Sequence, residues 1–207
     1  MIKVGIVNFG MGNLNSVQNA LKFLGCKYTL ISNPNEFDGV SHIILPGVGS
    51  FKKAMENLIE QNLINRLKKE VIENKKNILG ICLGMQLLGK SSTEQMETDG
   101  LGFVENKVEK FSSEETLDKN IPHVGFNNVK ISNKNFQLFT GIKNMSDFYF
   151  VHSYRMLQEN LDENYATCNY GIDFLAAFKY QNIYGAQFHP EKSQYNGIKI
   201  IYNFLKN

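Results

Sequence analysis

Apolar residues recur along the first half of the chain in two alternating rhythms. A compact run at 3–7 reads as a strand, and Leu14, Val17, Leu21 and Leu24 follow at the spacing that puts them on one helical face, with Asn13 placed to cap the helix and Gly25 to close it. A short strand pattern at 28–31 and a fully apolar run at 43–45 come next. Ser50 then stands as the cap of a helical pattern that carries Phe51, Met55 and Leu58 and continues through Leu63, Leu67 and Val71. Another apolar run at 78–81 leads into helical spacing over 83–88. Strands that are apolar on both faces must be covered on both faces, so this half predicts an α/β fold, a central and mostly parallel sheet flanked by helices.

Beyond about residue 100 the rhythm changes. Short alternating or aromatic runs at 103–111, 129–131, 148–151, 174–180 and 183–188 are punctuated by Gly and Asn and predict additional antiparallel strands. A last helix over 195–205 places Ile198, Ile201 and Leu205 on one stripe. No internal repeat, low-complexity tract or linker separates the halves, so one domain over 1–207 with a shared core is expected.

Composition narrows the class. In 207 residues, 43% hydrophobic and 20% charged, there is enough apolar surface to offset chain entropy, which excludes wholesale disorder. The 22 basic and 20 acidic residues leave a net charge of +2 with no block of like charges, so no nucleic-acid partner is implied. The first residues alternate like a strand after one lysine, unlike a secretion signal, and no apolar stretch is long enough to span a bilayer. A cytoplasmic protein with no membrane association is expected. Cys26, Cys82 and Cys168 are widely spaced without a C-x-x-C pair, which argues against both a disulfide framework and a zinc site.

The chemistry concentrates at Gly80-Ile81-Cys82-Leu83-Gly84, a cysteine between two glycines where an apolar strand meets a helix. Such an elbow holds a nucleophile clear of the sheet, and the start of the next helix favours a thiolate. Cys26 and Cys168 lack that setting and read as structural. Of four histidines, His42 lies inside an apolar strand, and spacing leaves the roles of His123 and His152 open. His189 follows an apolar run directly, is fixed by Pro190, and has Glu191 two residues on, so one strand-end turn can present an imidazole base together with the acid that orients it. In Leu45-Pro46-Gly47-Val48-Gly49-Ser50, backbone N–H groups could face a developing oxyanion along with the N–H of Leu83. Gly10-Met11-Gly12-Asn13 partly matches a dinucleotide loop, but Asn15 stands where that motif needs a small residue, and a nucleotide- or cofactor-binding protein is the rival reading.

Taken together, Pro46-Gly47-Val48-Gly49, Gly80 to Gln86, Tyr149-Phe150-Val151-His152-Ser153-Tyr154 and Gln187-Phe188-His189-Pro190-Glu191-Lys192-Ser193 resemble the class I (triad) glutamine amidotransferases, in order and over essentially the whole chain. The resemblance implies that family's α/β fold and a triad of Cys82 as nucleophile, His189 as acid and base, and Glu191 as the orienting residue. It also implies that Gln86 and Glu94 hold the substrate glutamine and that no metal or organic cofactor is required. The resemblance is strongest to the branch that forms a heterodimer with a (β/α)8 barrel cyclase, which takes up the ammonia to build an imidazole ring in histidine biosynthesis. Tyr149 and Lys192 match positions at that interface and along the ammonia passage. Val124 and Phe126 stand where this branch usually carries Met and Trp, and the chain has no Trp. That departure keeps two alternatives open: a paralogous subunit that supplies ammonia to amidate a surface sugar, and a cysteine hydrolase of another amide.

Overall fold

The computed structural model of the chain describes residues 2–159, 161 and 164–207. Through residue 87 the elements follow the predicted alternation: β1 (Lys3–Val7), α1 (Leu14–Phe23), β2 (Lys27–Ile31), β3 (His42–Gly47), α2 (Phe51–Glu60), α3 (Leu63–Lys68), β4 (Asn77–Cys82) and α4 (Leu83–Leu87). Short strands β5 (Ser91–Ser92), β6 (Thr98–Asp99) and β7 (Lys107–Lys110) come next, then one turn of helix, α5 (Ser113–Thr116). The second half supplies β8 (His123–Ile131), β9 (Ser146–His152), β10 (Tyr154–Met156), β11 (Tyr165–Tyr170), β12 (Ile172–Tyr180) and β13 (Ile183–Ala186), and closes on α6 (Gln194–Lys206).

One sheet of nine strands, in the order β2-β1-β3-β4-β13-β12-β11-β8-β9, runs through both halves. Its first five strands are parallel and the rest pair antiparallel, so β13, expected among the antiparallel runs, is the junction: parallel to β4 on one side and antiparallel to β12 on the other. The apolar run of β3 divides between the two faces. Ile44 packs in a cluster with Val17 and Leu21 of α1 and Ile200 and Phe204 of α6, while Ile43 and Leu45 pack with Phe51 and Leu58 of α2 and Leu67 of α3. Covering on both sides is why the run tolerates no polar position. No helix of the described residues is long and apolar enough to cross a membrane.

Several elements differ from the sequence reading. The helix expected to continue from Phe51 to Val71 is broken at Asn62, whose φ of 57° is left-handed, and 69–73 widens into a π-helical turn. There the buried Glu70 collects Arg66, Asn74 and Lys76, a polar demand that hydrophobic spacing does not register. Neither Asn13 nor Ser50 caps its helix with its side chain. The run at 103–111 is strand only over Lys107–Lys110. A second, smaller sheet, β10-β7-β5-β6, brings pieces of the two halves together beside the site.

Candidate active site

β4 passes into α4 with no intervening residue, and Cys82 takes the whole reversal at φ 52°, ψ −111°. A non-glycine residue held in such a region stores about 1–3 kcal/mol and stays there only when its surroundings leave no alternative. Here the surroundings are backbone. A Cβ on Gly84 would lie 1.7 Å from the Leu45 carbonyl oxygen, and one on Gly80 would lie 2.7 Å from the Gly84 carbonyl oxygen, so both glycines of the motif are required by close packing of the elbow over β3. The Cys82 sulfur is almost buried and lies 3.8 Å from the Val151 carbonyl oxygen.

β13 lies beside β4 with Gly185 opposite Gly80 and Ala186 opposite Ile81, so the chain that follows each strand emerges at the same edge of the sheet. The backbone N–H of His189 donates to the Tyr149 carbonyl at 2.8 Å. Ser193 braces the same turn, its hydroxyl donating to the His189 carbonyl at 2.7 Å and accepting from the Tyr149 N–H at 2.9 Å. His189 Nδ1 meets Glu191 Oε1 at 2.8 Å with both side chains buried. Its Nε2 is buried without a hydrogen-bond partner among the described residues, and Cys82 is its polar neighbour on that side. Burial alone would lower the pKa of this imidazole. Cys82 and then Glu191 outweigh it and raise the value to about 10, so His189 is held as a cation between a sulfur and a carboxylate.

The remaining candidates separate cleanly. His152 lines the cleft, but its Nδ1–H donates to the Tyr154 carbonyl at 2.8 Å, and burial, chiefly, pushes its pKa down to about 3. His123 stacks on Tyr170 and Phe150 and contacts His152; burial and then Lys119 lower it to about 4. His42 sits against the Asn207 carbonyl and the Phe204 ring and is likewise lowered, first by burial. Burial pushes the Cys168 thiol up to about 12 and the Cys26 thiol up as well, leaving both as protonated packing groups at neutral pH.

Cys82 opens into a cleft of about 270 Å³ lined by Val48, Gly49, Leu83, Gln86, Glu94 and the 151–154 segment. Gly47 lies opposite Cys82 in the β3–β4 register, which sets the glycine strand-end beside the start of α4. Leu83 is the first residue of α4, where N–H groups have no intrahelical acceptor. The Val48 N–H instead turns to the Met11 carbonyl at 3.4 Å. The Gly10–Asn13 loop, which the rival reading matched to a dinucleotide loop, thus backs the strand-end: Met11 Cε would be 2.7 Å from a Cβ on Gly49. Across the cleft, Glu94 Oε2 accepts the Phe51 N–H at 2.6 Å and serves as the N-terminal anion of α2 that Ser50 was expected to cap. Gln86 donates to the Tyr154 carbonyl at 2.9 Å.

On the neighbouring surface Lys192 Nζ lies 5.7 Å from the centroid of the Tyr149 ring, and Phe126 packs edge-on to the same ring at 5.5 Å. Phe126 is half exposed, as is Val124. The patch is continuous with the site because Tyr149 is the residue whose carbonyl holds the His189 backbone. Sequence reasoning assigned no role to Ser193 or Gln187, although both lie in the quoted motif. Gln187 meets Cys82 and Gln86, 105 and 101 residues away, and Ser193 ties the His189 carbonyl to the Tyr149 N–H of β9, so no local spacing marks either role. Among the described residues no group of three or more His, Cys, Asp and Glu side chains is placed to hold a metal ion.

The glutamine amidotransferase class-I family matches residues 5–207. The imidazole glycerol phosphate synthase subunit HisH 1 of Campylobacter jejuni is 43% identical over 98% of this chain and 99% of its own length. The HisH 2 subunit of Vibrio vulnificus is 45% identical over 99% and 94%. In fold, the chain is similar to the structure of PurLQS from Thermotoga maritima, at a TM-score of 0.75, 17% identity and coverage of 99% and 98%. It is also similar to the glutaminase domain of Trypanosoma brucei CTPS with bound acivicin, at 0.66, 14% identity and coverage of 100% and 95%.

Proposed function

Because the chain belongs to the class I glutamine amidotransferases, we propose that it is the glutaminase subunit of an imidazole glycerol phosphate synthase, acting in the cytoplasm as one glutaminase domain in a heterodimer with a (β/α)8 barrel cyclase. The observation that carries the reading is the line of contacts from Cys82, which opens into the cleft, through His189 to Glu191 buried behind it, with Gln86 and Glu94 on the cleft walls. The Cys82 thiolate attacks the side-chain amide carbon of glutamine, forming a C–S bond. His189 passes its proton to the departing nitrogen, the C–N bond breaks, and ammonia leaves a glutamyl thioester. Water, deprotonated by the same imidazole, then attacks the thioester carbon and the C–S bond breaks; the sulfur leaves as the thiolate beside the restored imidazolium, and the new carboxylic acid loses its proton to solvent as glutamate is released. Glu191 keeps the ring oriented and its cation stabilised throughout. No metal or organic cofactor enters the cycle.

The oxyanion of each tetrahedral intermediate is met by the Leu83 N–H and by the strand-end at Val48 and Gly49. With the Val48 N–H turned to Met11, that end of the hole is short of a donor, and one donor is worth about 3 kcal/mol, a hundredfold or more in rate. Docking of the cyclase on the Phe126–Tyr149–Lys192 patch, with its acceptor substrate in place, completes the hole and opens a dry passage for ammonia, so glutamine is consumed when an acceptor is waiting.

Glutamate production should be slow for the chain alone and rise at least about a hundredfold with a histidine-pathway cyclase and its substrate. Equal rates in a verified complex would remove the switch. Stimulation by a sugar-pathway partner alone would transfer the assignment to an amidating paralogue.

A further inference from the structure

One fully buried amide behind the cleft wall is unused by this mechanism. Gln187 lies just beyond the end of β13, two residues before His189, with no exposed surface. Its Nε2 donates to the Cys82 sulfur at 3.7 Å, and its Oε1 accepts from Gln86 Nε2 at 3.0 Å. The orientation of both amides follows from a single carbonyl. The Tyr154 oxygen can only accept, so Gln86 must turn its NH2 toward it, and the second hydrogen of that NH2 goes to Gln187. Gln187 is thereby left presenting N–H to the sulfur; a flipped amide would set two NH2 groups face to face.

The need for such a donor is visible in the other contact of the sulfur. The Val151 carbonyl at 3.8 Å suits a thiol S–H and opposes a thiolate. We infer that Gln187 is a fourth member of the catalytic apparatus, holding the Cys82 sulfur as an anion while its proton resides on His189, and coupling it through Gln86 to the glutamine pocket. In that transfer the S–H bond breaks, the electron pair stays on sulfur, the proton moves to His189 Nε2, and nothing is oxidised. The coupling to glutamine rests on the glutaminase reading; the effect on the sulfur does not.

The charged and titratable groups around the sulfur include His189 with Glu191 behind it after β13, His152 at the end of β9, Tyr154 at the start of β10, its phenol raised by burial and then by Glu94, and Glu94 itself across the cleft, together with the amino end of α4. His152, lowered chiefly by burial, stays neutral from mild acid upward and adds no charge beside the sulfur above that range. Gln187→Met keeps the shape and removes the donor. Gln187→Glu keeps the shape and faces the sulfur with a carboxyl group.

Alkylation of Cys82 by iodoacetamide, mapped by mass spectrometry across pH, tests the inference on wild type and both variants, with circular dichroism melts to establish folding. The acidic midpoint of labelling should rise in Gln187→Met, lowering the rate below the midpoint by about tenfold, the scale of one hydrogen bond to a charged acceptor, and should rise further in Gln187→Glu. Superimposable labelling profiles for wild type and either folded variant would overturn it, even if glutamine hydrolysis proceeds. A midpoint that depends on Gln187 in a protein that hydrolyses no glutamine with any partner would sustain this inference and remove the glutaminase reading instead.

Discussion

At Cys82 the left-handed backbone angle lifts the sulfur out of the sheet, and the neighbouring glycines leave the elbow no room to relax. The two glycines and the cysteine of the elbow occupy five consecutive positions, which is why its geometry was legible in the sequence. Replacing Cys82 with Ser should preserve the fold and lower glutamine hydrolysis by about a thousandfold or more, since a hydroxyl lacks an accessible anion; near-normal rates in a folded Cys82→Ser protein would exclude the assignment. His189 offers a pH test. Its raised pKa means that the proton needed by the leaving nitrogen is retained well above the ordinary imidazole range, so kcat/KM should hold on the alkaline side and fall as pH passes about 10. Glu191→Gln removes one of the two groups that raise it, so the alkaline limb should move to lower pH. An unmoved limb in that variant would show that Glu191 does not hold the cation. Gln187 escaped the sequence reading because its meaning depends on Cys82, Gln86 and the Tyr154 carbonyl, which come from three other elements.

At the scale of elements, hydrophobic period located β1, β3, β4 and α6 closely, because each has a face or a full circumference in the core. It failed where a polar contact decides. The π-helical turn at 69–73 carries the buried Glu70 with its partners Arg66, Asn74 and Lys76, and the start of α2 is served by Glu94, forty-three residues away, in place of the adjacent Ser50. Glu94 therefore joins two roles, anchoring a helix and walling the cleft. Glu94→Gln keeps size but gives up the charge at the helix N-terminus, and should cost about 1 kcal/mol of stability while raising the KM for glutamine more than it lowers kcat. Urea denaturation together with steady-state kinetics separates the two effects. An unchanged KM would confine Glu94 to its structural part.

Across the whole molecule, the Glu70 network is one contributor to stability toward acid, beside the buried His123 and His152 whose pKa values burial lowers. Burial favours the neutral carboxyl, but Lys76, Asn74 and Arg66 together prevail and lower its pKa to about 2. A carboxylate depressed in the folded state stabilises above its unfolded value, about 4.3, and that contribution fades as pH falls toward 2. Glu70→Gln should cost about 2 kcal/mol at neutral pH, and the gap to wild type should narrow by pH 3. Equal urea midpoints at neutral pH would show that the partly exposed Arg66 and Lys76 are indifferent to their partner. The sheet as a whole was foreseeable as parallel then antiparallel, but not its order, since hydrophobic pattern says what a strand buries and not which strand lies beside it.

That order has a consequence during synthesis on the ribosome. β13, among the last strands to emerge, inserts between β4 and β12 in the interior of the sheet, and His189, Glu191 and Gln187 follow it directly. A nascent chain carrying Cys82 but not yet β13 has a bare edge on β4 and lacks His189, the base proposed for its thiol, so the proposed nucleophile has no partner until the central gap is closed. Interruption of translation before residue 183 would leave unpaired apolar strand edges, the kind of surface that chaperones and proteases recognise, and no fragment able to spend glutamine. Insertion of a single late strand thus makes completion of the sheet and the onset of chemistry one event.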